Sequence, residues 1–553
     1  MTNVPQRAFT GGEIAPALYA RTDLAKYVNS LRQCRNFVVQ RHGGAANRAG
    51  TVFVREVKNS VNPVRLIDFI YDEQTAYVLE VGVGYIRFIL DGGWLVYATP
   101  AAYNNSTAYK QGDLVSSGGV NYYAVQDTTG HAPPNATYWY ALPSDLTYEI
   151  PTPYSAGDLS DLRVAQSADV MTIVHPSHPP RELRRLGNTD WILVTLTNFD
   201  SAMTTPTMIN ALGGVAGANT YYKATAVAQG TFEESTIGAS VAIAAAQANA
   251  ANPIVVSWGF TGTPSFTPQF YNLYKSYDGQ TWGIIASTPI QTFSDTGFVP
   301  DYSTTPPEVR TPSLFSAADD YPRAVAYFQQ RRFFASTNHA RETIWGSRIG
   351  LFSNFAISFP LNDDASLTFS LVGRRVGLVQ HLLDLGALVA LSLNGEWMIE
   401  GDQAGILRPT DINARQPSYS GVGRLGPLTV VDTALFLQSR GQIVRDLKKA
   451  VTQDTFESSD LTVLASHLTR GYEIVDWAYA QNPDSRVWAV RSDGKLLGLT
   501  YLREHEVIAW HRHDTDGLVE NVCVIPEGNE DALYMVVQRT INGTSKRCIE
   551  RMA

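Results

Sequence analysis

Two histidine pairs are the first places in this chain where residue type and spacing suggest chemistry. His175 and His178 stand three apart, and His511 and His513 two apart with Asp514 adjacent. Alternate residues of a strand share a face, so His511 and His513 would both look toward one ion. The bland alternative is a pair of surface or interface histidines beside Trp510. Around His175 and His178, the prolines Pro176, Pro179 and Pro180 mark a rigid turn. No metal site is expected from either pair. Paired carboxylates occur at Asp319-Asp320, at Asp363-Asp364 and at Glu504 with Glu506. A glycosidase dyad needs two such groups roughly 5 to 9 Å apart, and spacing along the chain does not establish that. Gly82-Val83-Gly84 falls between strand-like runs and lacks a third glycine in register, so it is not a dinucleotide fingerprint. No phosphate-binding Gly-x-x-x-x-Gly-Lys motif, His-Glu-x-x-His or nucleophile elbow occurs. The expectation is therefore no catalytic residue, no cofactor and no enzyme.

Other chemistry-bearing groups suit recognition. One basic group lies in the N-terminal region, with Arg32, Arg35, Arg41, His42 and Arg48. Arg181, Arg184 and Arg185 form a second, and Arg374-Arg375 a third. The chain carries a net charge of -9, so these clusters are expected to pair with carboxylates on a neighbouring subunit. If the chain formed a ring, arginines facing a lumen would meet DNA phosphates without sequence preference. The rings of Tyr109, Tyr122, Tyr123 and Trp139 could stack on sugars, or simply fold a small module that has little other core.

These residues must be positioned mostly by strands. Runs such as Val78 to Val83, Tyr85 to Leu90, Ala387 to Leu393 and Ala532 to Arg539 are rich in Val, Ile, Tyr and Phe and are separated by Gly and Asx. Asn394-Gly395, Asp493-Gly494, Asp516-Gly517 and Asn542-Gly543 are hairpin turn signals, and Arg440-Gly441 sits in a similar place. This texture, seen from Val78 to Tyr97 and again from Ala324 to the end, with strand starts mostly around ten residues apart from Ile474 onward, predicts a β-propeller-like body, with a generic sandwich or mixed β assembly as the alternative. Two short helices are predicted, Leu24 to Phe37 with Asp23 at or near its cap, and Leu461 to Leu468 capped by Ser459 or Asp460. The three cysteines, Cys34, Cys523 and Cys548, are too few for a disulfide framework. The first ten residues lack an apolar core, so no signal peptide is expected, and no apolar run is long enough for a bilayer-spanning helix.

The 553 residues are expected to divide into several units. Residues 1–100 hold an N-terminal arm, a short helix and the first strands of the body. Residues 101–147 form an aromatic-rich insert. Its phrase Tyr109-Lys110-Gln111-Gly112-Asp113-Leu114-Val115, then Gly118-Gly119-Val120-Asn121-Tyr122-Tyr123, resembles small carbohydrate-binding modules. Residues 148–201 continue the body. Residues 202–307 are rich in Ala, Thr, Ser and Gly. Within them Tyr271-Asn272-Leu273-Tyr274-Lys275-Ser276, with Asp278-Gly279, resembles the second half of a fibronectin type III sandwich. Pro306-Pro307 and Pro312 read as a linker, and residues 308–553 form the remainder of the body.

The opening phrase carries the strongest resemblance. Phe9-Thr10-Gly11-Gly12-Glu13-Ile14-Ala15-Pro16 leads to Arg21, Asp23 and Tyr27, then to Cys34-Arg35-Asn36-Phe37, Gly43-Gly44 and Arg48-Ala49-Gly50-Thr51. It resembles the N-terminus of the tail nozzle proteins (tail tubular protein B-like, or tail stabilisation hub) of short-tailed bacteriophages. Ala15 stands where that pattern has Ser, and Ala49 where it has Pro. Further phrases look similar: His175-Pro176, Gln330-Arg331-Arg332, Ile344-Trp345-Gly346-Ser347-Arg348 and Asn394-Gly395-Glu396-Trp397. The resemblance implies a structural virion protein, a hexameric ring built on a β-propeller body beneath portal and adaptor. DNA would pass through its lumen and fibres or spikes would attach nearby. It implies assembly in the host cytoplasm and residence in the virion tail, with no membrane span. Arg21, Asp23, Tyr27, Arg35, Asn36 and Arg48 would then be assembly residues, with the N-terminal segment wrapped onto a neighbour. The alternatives are a glycan-binding tail adhesin acting through residues 101–147, or a propeller glycosidase.

Overall fold

The computed structural model describes residues 6, 8–307, 313–357, 361–402, 405–449 and 456–553. Pro312, read above as part of a linker, lies outside them. The chain is almost entirely antiparallel β structure. Among the described residues eight sheets have four or five strands; one lies within residues 202–307, and the other seven are built mostly from strands close together in sequence. The first joins Arg65–Ile70, Ala76–Gly82, Tyr85–Leu90 and Glu149–Pro151, with Gly93–Trp94 beside it. The second runs Arg163–Ser167, Val170–His175, His178–Gly187 and Asp190–Thr195. The third, fourth and fifth begin at Ala324, Val379 and Leu428. The sixth is Ile474–Ala480, Arg486–Arg491, Leu496–Leu502 and Val507–His513. The seventh joins Leu518–Glu527, Glu530–Ile541 and Thr544–Met552 to the N-terminal strand Thr51–Glu56.

The propeller-like body expected from the sequence is corrected by this topology. Among the described residues every sheet is open and ends in edge strands, and none closes on itself. The fold is a mainly-β assembly of many separate antiparallel sheets. The signals that prompted the expectation specify hairpins, which any antiparallel protein uses. Asn542 and Gly543, with φ of 50° and 78°, make the tight turn between the last two strands of the chain. A local turn of this kind sets the register of two strands and carries no information about closure.

Hydrophobic clusters fill the spaces between the sheets. Phe69, Tyr77, Phe88, Tyr148 and Trp191 lie between the first and second. Trp477, Leu499 and Trp510 pack beneath the fifth and sixth. A buried ion pair also links sheets: Arg332 of the third, with no exposed surface, reaches Glu182 of the second at 2.5 Å. Its neighbour Arg331 points to the other face of the strand and donates to the carbonyls of Ser347 and Ala365. Alternation along one strand thus sends two adjacent arginines into two different interiors.

Within residues 101–147 a three-stranded sheet forms from Leu114–Ser117, Val120–Ala124 and Trp139–Ala141. Within residues 202–307 a three-stranded and a four-stranded sheet face each other across Tyr222, Trp258, Tyr271 and Leu273. Buried Lys275 and Asp295 pair there at 2.7 Å, and Tyr222 donates to the same carboxylate at 2.6 Å.

Both predicted helices are corrected. Tyr27–Asn29 is a single 3-10 turn, followed by the strand Ser30–Leu31. That strand pairs in parallel with Gly12–Glu13, a partner the local spacing of Leu24, Tyr27 and Leu31 does not reveal. Asp23 makes no cap; it pairs with Arg21. Val463–Leu468 is also 3-10, broken at Ala465. Asp460 accepts from the amide of Thr462 at 2.7 Å just before it. No helix among the described residues is long and apolar enough to cross a membrane.

Candidate functional site

The residues of the opening phrase gather against the sixth sheet of their own chain. Glu13 is 1% exposed, yet ionisable, so burial demands partners. It accepts the backbone amide of Cys34 and meets His467 Nε2, both at 2.8 Å, and Arg512 Nε lies 3.3 Å away. Gly12 adopts φ of +61°, and a side chain there would collide with the backbone at Ala509 and Trp510. The neighbouring amide of Ala15 donates to the carbonyl of Leu464 at 2.8 Å.

A second knot forms around Asp514, at the end of the same sheet. Its amide donates to Asn36 Oδ1 at 2.9 Å. Its carboxylate pairs with Arg35 and, at 2.9 Å, with Lys495. Arg48 Nη2 reaches its carbonyl at 3.3 Å. These bonds and charges hold the carboxyl of Asp514 below its ordinary range, and burial pushes the guanidinium of Arg48 down. Arg35, Asn36 and Arg48 therefore anchor the N-terminal segment within the chain. Arg21 and Asp23 form an exposed pair at 2.6 Å, and the hydroxyl of half-buried Tyr27 accepts from the amide of Ala20. The sequence placed Asp514 beside His511 and His513 and Glu13 within the opening phrase, but gave neither a role in holding the N-terminal segment.

The other basic residues do not make one patch. Arg184 turns to Glu182 at 2.5 Å. Arg185 lies over the ring of Tyr71 at 4.2 Å and donates to Tyr77. Arg181 sits above the ring of Tyr154. Arg374 and Arg375 are exposed in the segment between the third and fourth sheets.

The aromatic set of the insert is mostly internal. Tyr122, Tyr123 and Trp139 are 8%, 1% and 3% exposed. Tyr123 donates to the carbonyl of Trp191, tying the insert to the second sheet, and Trp139 donates to the carbonyl of His131 at 2.6 Å. Half-buried Tyr109 stacks on Tyr103 and meets the edge of Trp139. These rings build the small module, as a unit with few other apolar side chains requires.

The histidine pairs differ from each other. His511 and His513 do share a strand face, but both are buried, at 0% and 2% exposure, and bond to each other at 2.7 Å beneath Trp488. Burial pushes the imidazole of His511 down to about 3 and that of His513 well below its usual value. The expectation of surface or interface histidines is corrected here. His175 and His178 face each other across their hairpin turn. With Asp158 they are the one group of the described residues whose ligand atoms could hold a metal. The Ser177 amide donates to His175 Nδ1 at 3.1 Å, which leaves the proton on Nε2, facing Asp158. His178 Nε2 bonds to one oxygen of Asp158 at 3.1 Å, while His175 Nε2 lies 3.6 Å from the other. The hydrogen bonds from Ser155 and His178 bring the Asp158 carboxyl down to about 2, against its desolvation.

Of the carboxylate pairs, Asp364 goes to Arg348 at 2.5 Å and Asp320 to His339 at 3.1 Å. Glu504 lies in the 3-10 turn Arg503–His505, with Glu506 just past it in a left-handed conformation, so the two do not share a strand face.

No family model matches the chain, and no curated protein matches it. Among solved structures it is similar to the Neurospora crassa Pan2 WD40 domain, at 7% identity over 71% of this chain and 88% of that one, with a TM-score of 0.30. It is also similar to a structure of YCF48 bound to D1 peptide, at 10% identity over 92% and 96%, with a TM-score of 0.29. A third is the computationally designed Ika8 protein, at 11% identity over 90% and 99%, with a TM-score of 0.33. Likenesses this distant carry no argument about what the chain does.

Proposed function

We propose that this chain is a structural subunit of a bacteriophage tail nozzle, assembling as a hexameric ring between an adaptor and the fibres or spikes, through which double-stranded DNA leaves the virion. Its place would be the virion tail, after assembly in the host cytoplasm. The observation that carries this proposal is the fate of the opening phrase. Of the residues that bear the resemblance, Glu13, Asn36 and Arg48 bond backbone groups, Gly12 admits a close backbone approach and Arg35 pairs with the Asp514 carboxylate. Such use suits a rigid structural part. An oligomer is also supported by Val52 and Phe53, 54% and 61% exposed on an edge strand of the seventh sheet.

Mass photometry and negative-stain imaging of the purified chain, alone and with its adaptor, test this. The expected result is a hexamer-sized species with a central hole. A chain that stays monomeric in the presence of adaptor rings would overturn it.

A further inference from the structure

A cavity of about 480 Å³ opens between the first strands of the first, second, sixth and seventh sheets. Three arginines reach it, Arg65, Arg163 and Arg424, and so do the carboxylates Glu473, Asp476 and Glu520. The acids are not simple partners for the bases. Glu520 is taken by Arg547, in a two-pronged pair at 2.6 and 2.9 Å. Asp476 accepts the amide of Val522 at 2.7 Å, and burial pushes its carboxyl up to about 7. Glu473 stands exposed to solvent.

The guanidinium groups are held mainly by carbonyl oxygens. Arg65 Nη1 donates to Leu159 and Leu162 at 2.9 and 2.7 Å. Arg163 Nη1 donates to Ser160 and Leu162, both at 2.9 Å, and its Nη2 to the carbonyl of Arg424. Among the described residues neither has a carboxylate at ion-pair distance. Arg424, 70% exposed at its side chain, pairs with Asp161. Burial first, then the neighbouring charge of Arg65, lowers Arg163 to about 9 against the pull of Asp161, so that it is still cationic at neutral pH. Carbonyls orient a guanidinium without neutralising it. The wall therefore presents fixed, mutually repelling forks with N–H groups to spare, the arrangement that favours a bidentate oxyanion.

We propose that this cavity binds a small, multiply charged oxyanion of the phosphate class, gripped by Arg65 and Arg163 with Arg424 at the mouth. The site stands independently of the nozzle assignment. Inorganic phosphate is titrated calorimetrically into the full chain at fixed ionic strength, with chloride as control and a short DNA duplex in a parallel arm. The expected result is saturable binding of phosphate and none of chloride. Arg163→Gln should weaken phosphate by at least about tenfold, a loss of roughly 1.4 kcal/mol. Lys110→Gln, on the exposed surface of the small insert and outside the cavity wall, should bind as the parent does. If Arg163→Gln does not fold, exposed Arg424→Gln serves, with a smaller loss in the same direction. Absence of saturable phosphate binding, equal binding by the cavity variants and the parent, or binding of the duplex without phosphate would each overturn the proposal.

Discussion

Glu13 and His467 lie 454 residues apart and meet at 2.8 Å, joining the start of the chain to the 3-10 turn before its sixth sheet. The contact is buried on the carboxylate side, with 1% of the Glu13 side chain exposed. Removing the carboxylate strands the Cys34 amide, His467 and Arg512 together. Glu13→Ala is expected to cost about 3 kcal/mol, the size seen when one partner of a buried charged pair is deleted. Urea unfolding followed by tryptophan fluorescence measures it. A loss below about 0.5 kcal/mol, typical of a surface site, would contradict the clasp.

Gly498 faces His511 across adjacent strands, and a Cβ there would lie 2.0 Å from the imidazole Cε1. His511 is held in place by His513. Gly498→Ala should destabilise the chain by about 1–3 kcal/mol through overpacking. Adding His511→Ala should return part of that loss. A double-mutant cycle in thermal unfolding reads the coupling, and strict additivity would show that the ring is not the obstacle.

The same histidine pair predicts acid sensitivity. Both imidazoles titrate below the unfolded value of 6.5 when folded, His511 at about 3. Their contribution is complete above pH 6.5 and is lost as pH falls toward 3, because only the unfolded chain takes up the protons. Each histidine then adds about 1.4 kcal/mol of slope per pH unit in that window. Chemical unfolding at pH 7, 6, 5 and 4 should show a shallower decline for His513→Gln. An unchanged slope would place the acid sensitivity elsewhere.

Trp139 is the centre of the small three-stranded module, 3% exposed and bonded to His131. Trp139→Ala should cost about 3–5 kcal/mol locally. Hydrogen exchange should show lost protection in residues 101–147 while the sixth sheet stays protected. Retained protection of the module would mean that its other rings suffice.

Asp476 has a raised carboxyl, so its ionised form opposes folding. The folded value lies above the unfolded one, and the contribution is most favourable below pH 3.8 and declines as pH rises through 7. Asp476→Asn keeps an oxygen for the Val522 amide and should raise stability at pH 8 by about 1–2 kcal/mol. Destabilisation instead would mean that attraction to Arg65 outweighs burial.

Much of the secondary structure was legible along the chain. Alternating apolar runs and Asx-Gly turns are local, and Ala76–Gly82, Tyr85–Leu90 and the Asn542-Gly543 hairpin follow from them. The absence of known catalytic phrases was also readable, because such phrases are short. What the sheets do as a set was not legible: hairpin signals specify pairs of strands, and the expected closure was not found. The helix read over Leu24 to Phe37 failed for a related reason. Its spacing suited a helix, but Gly12–Glu13 supplied a strand partner from outside the window. Tertiary structure alone decided that Arg35, Asn36 and Arg48 converge on Asp514. It alone buried the rings of Tyr122, Tyr123 and Trp139, and it alone brought Arg65, Arg163 and Arg424 to one cavity. Residue type sets what a side chain can do. Which partner it meets depends on contacts that span hundreds of residues, and no local pattern encodes them.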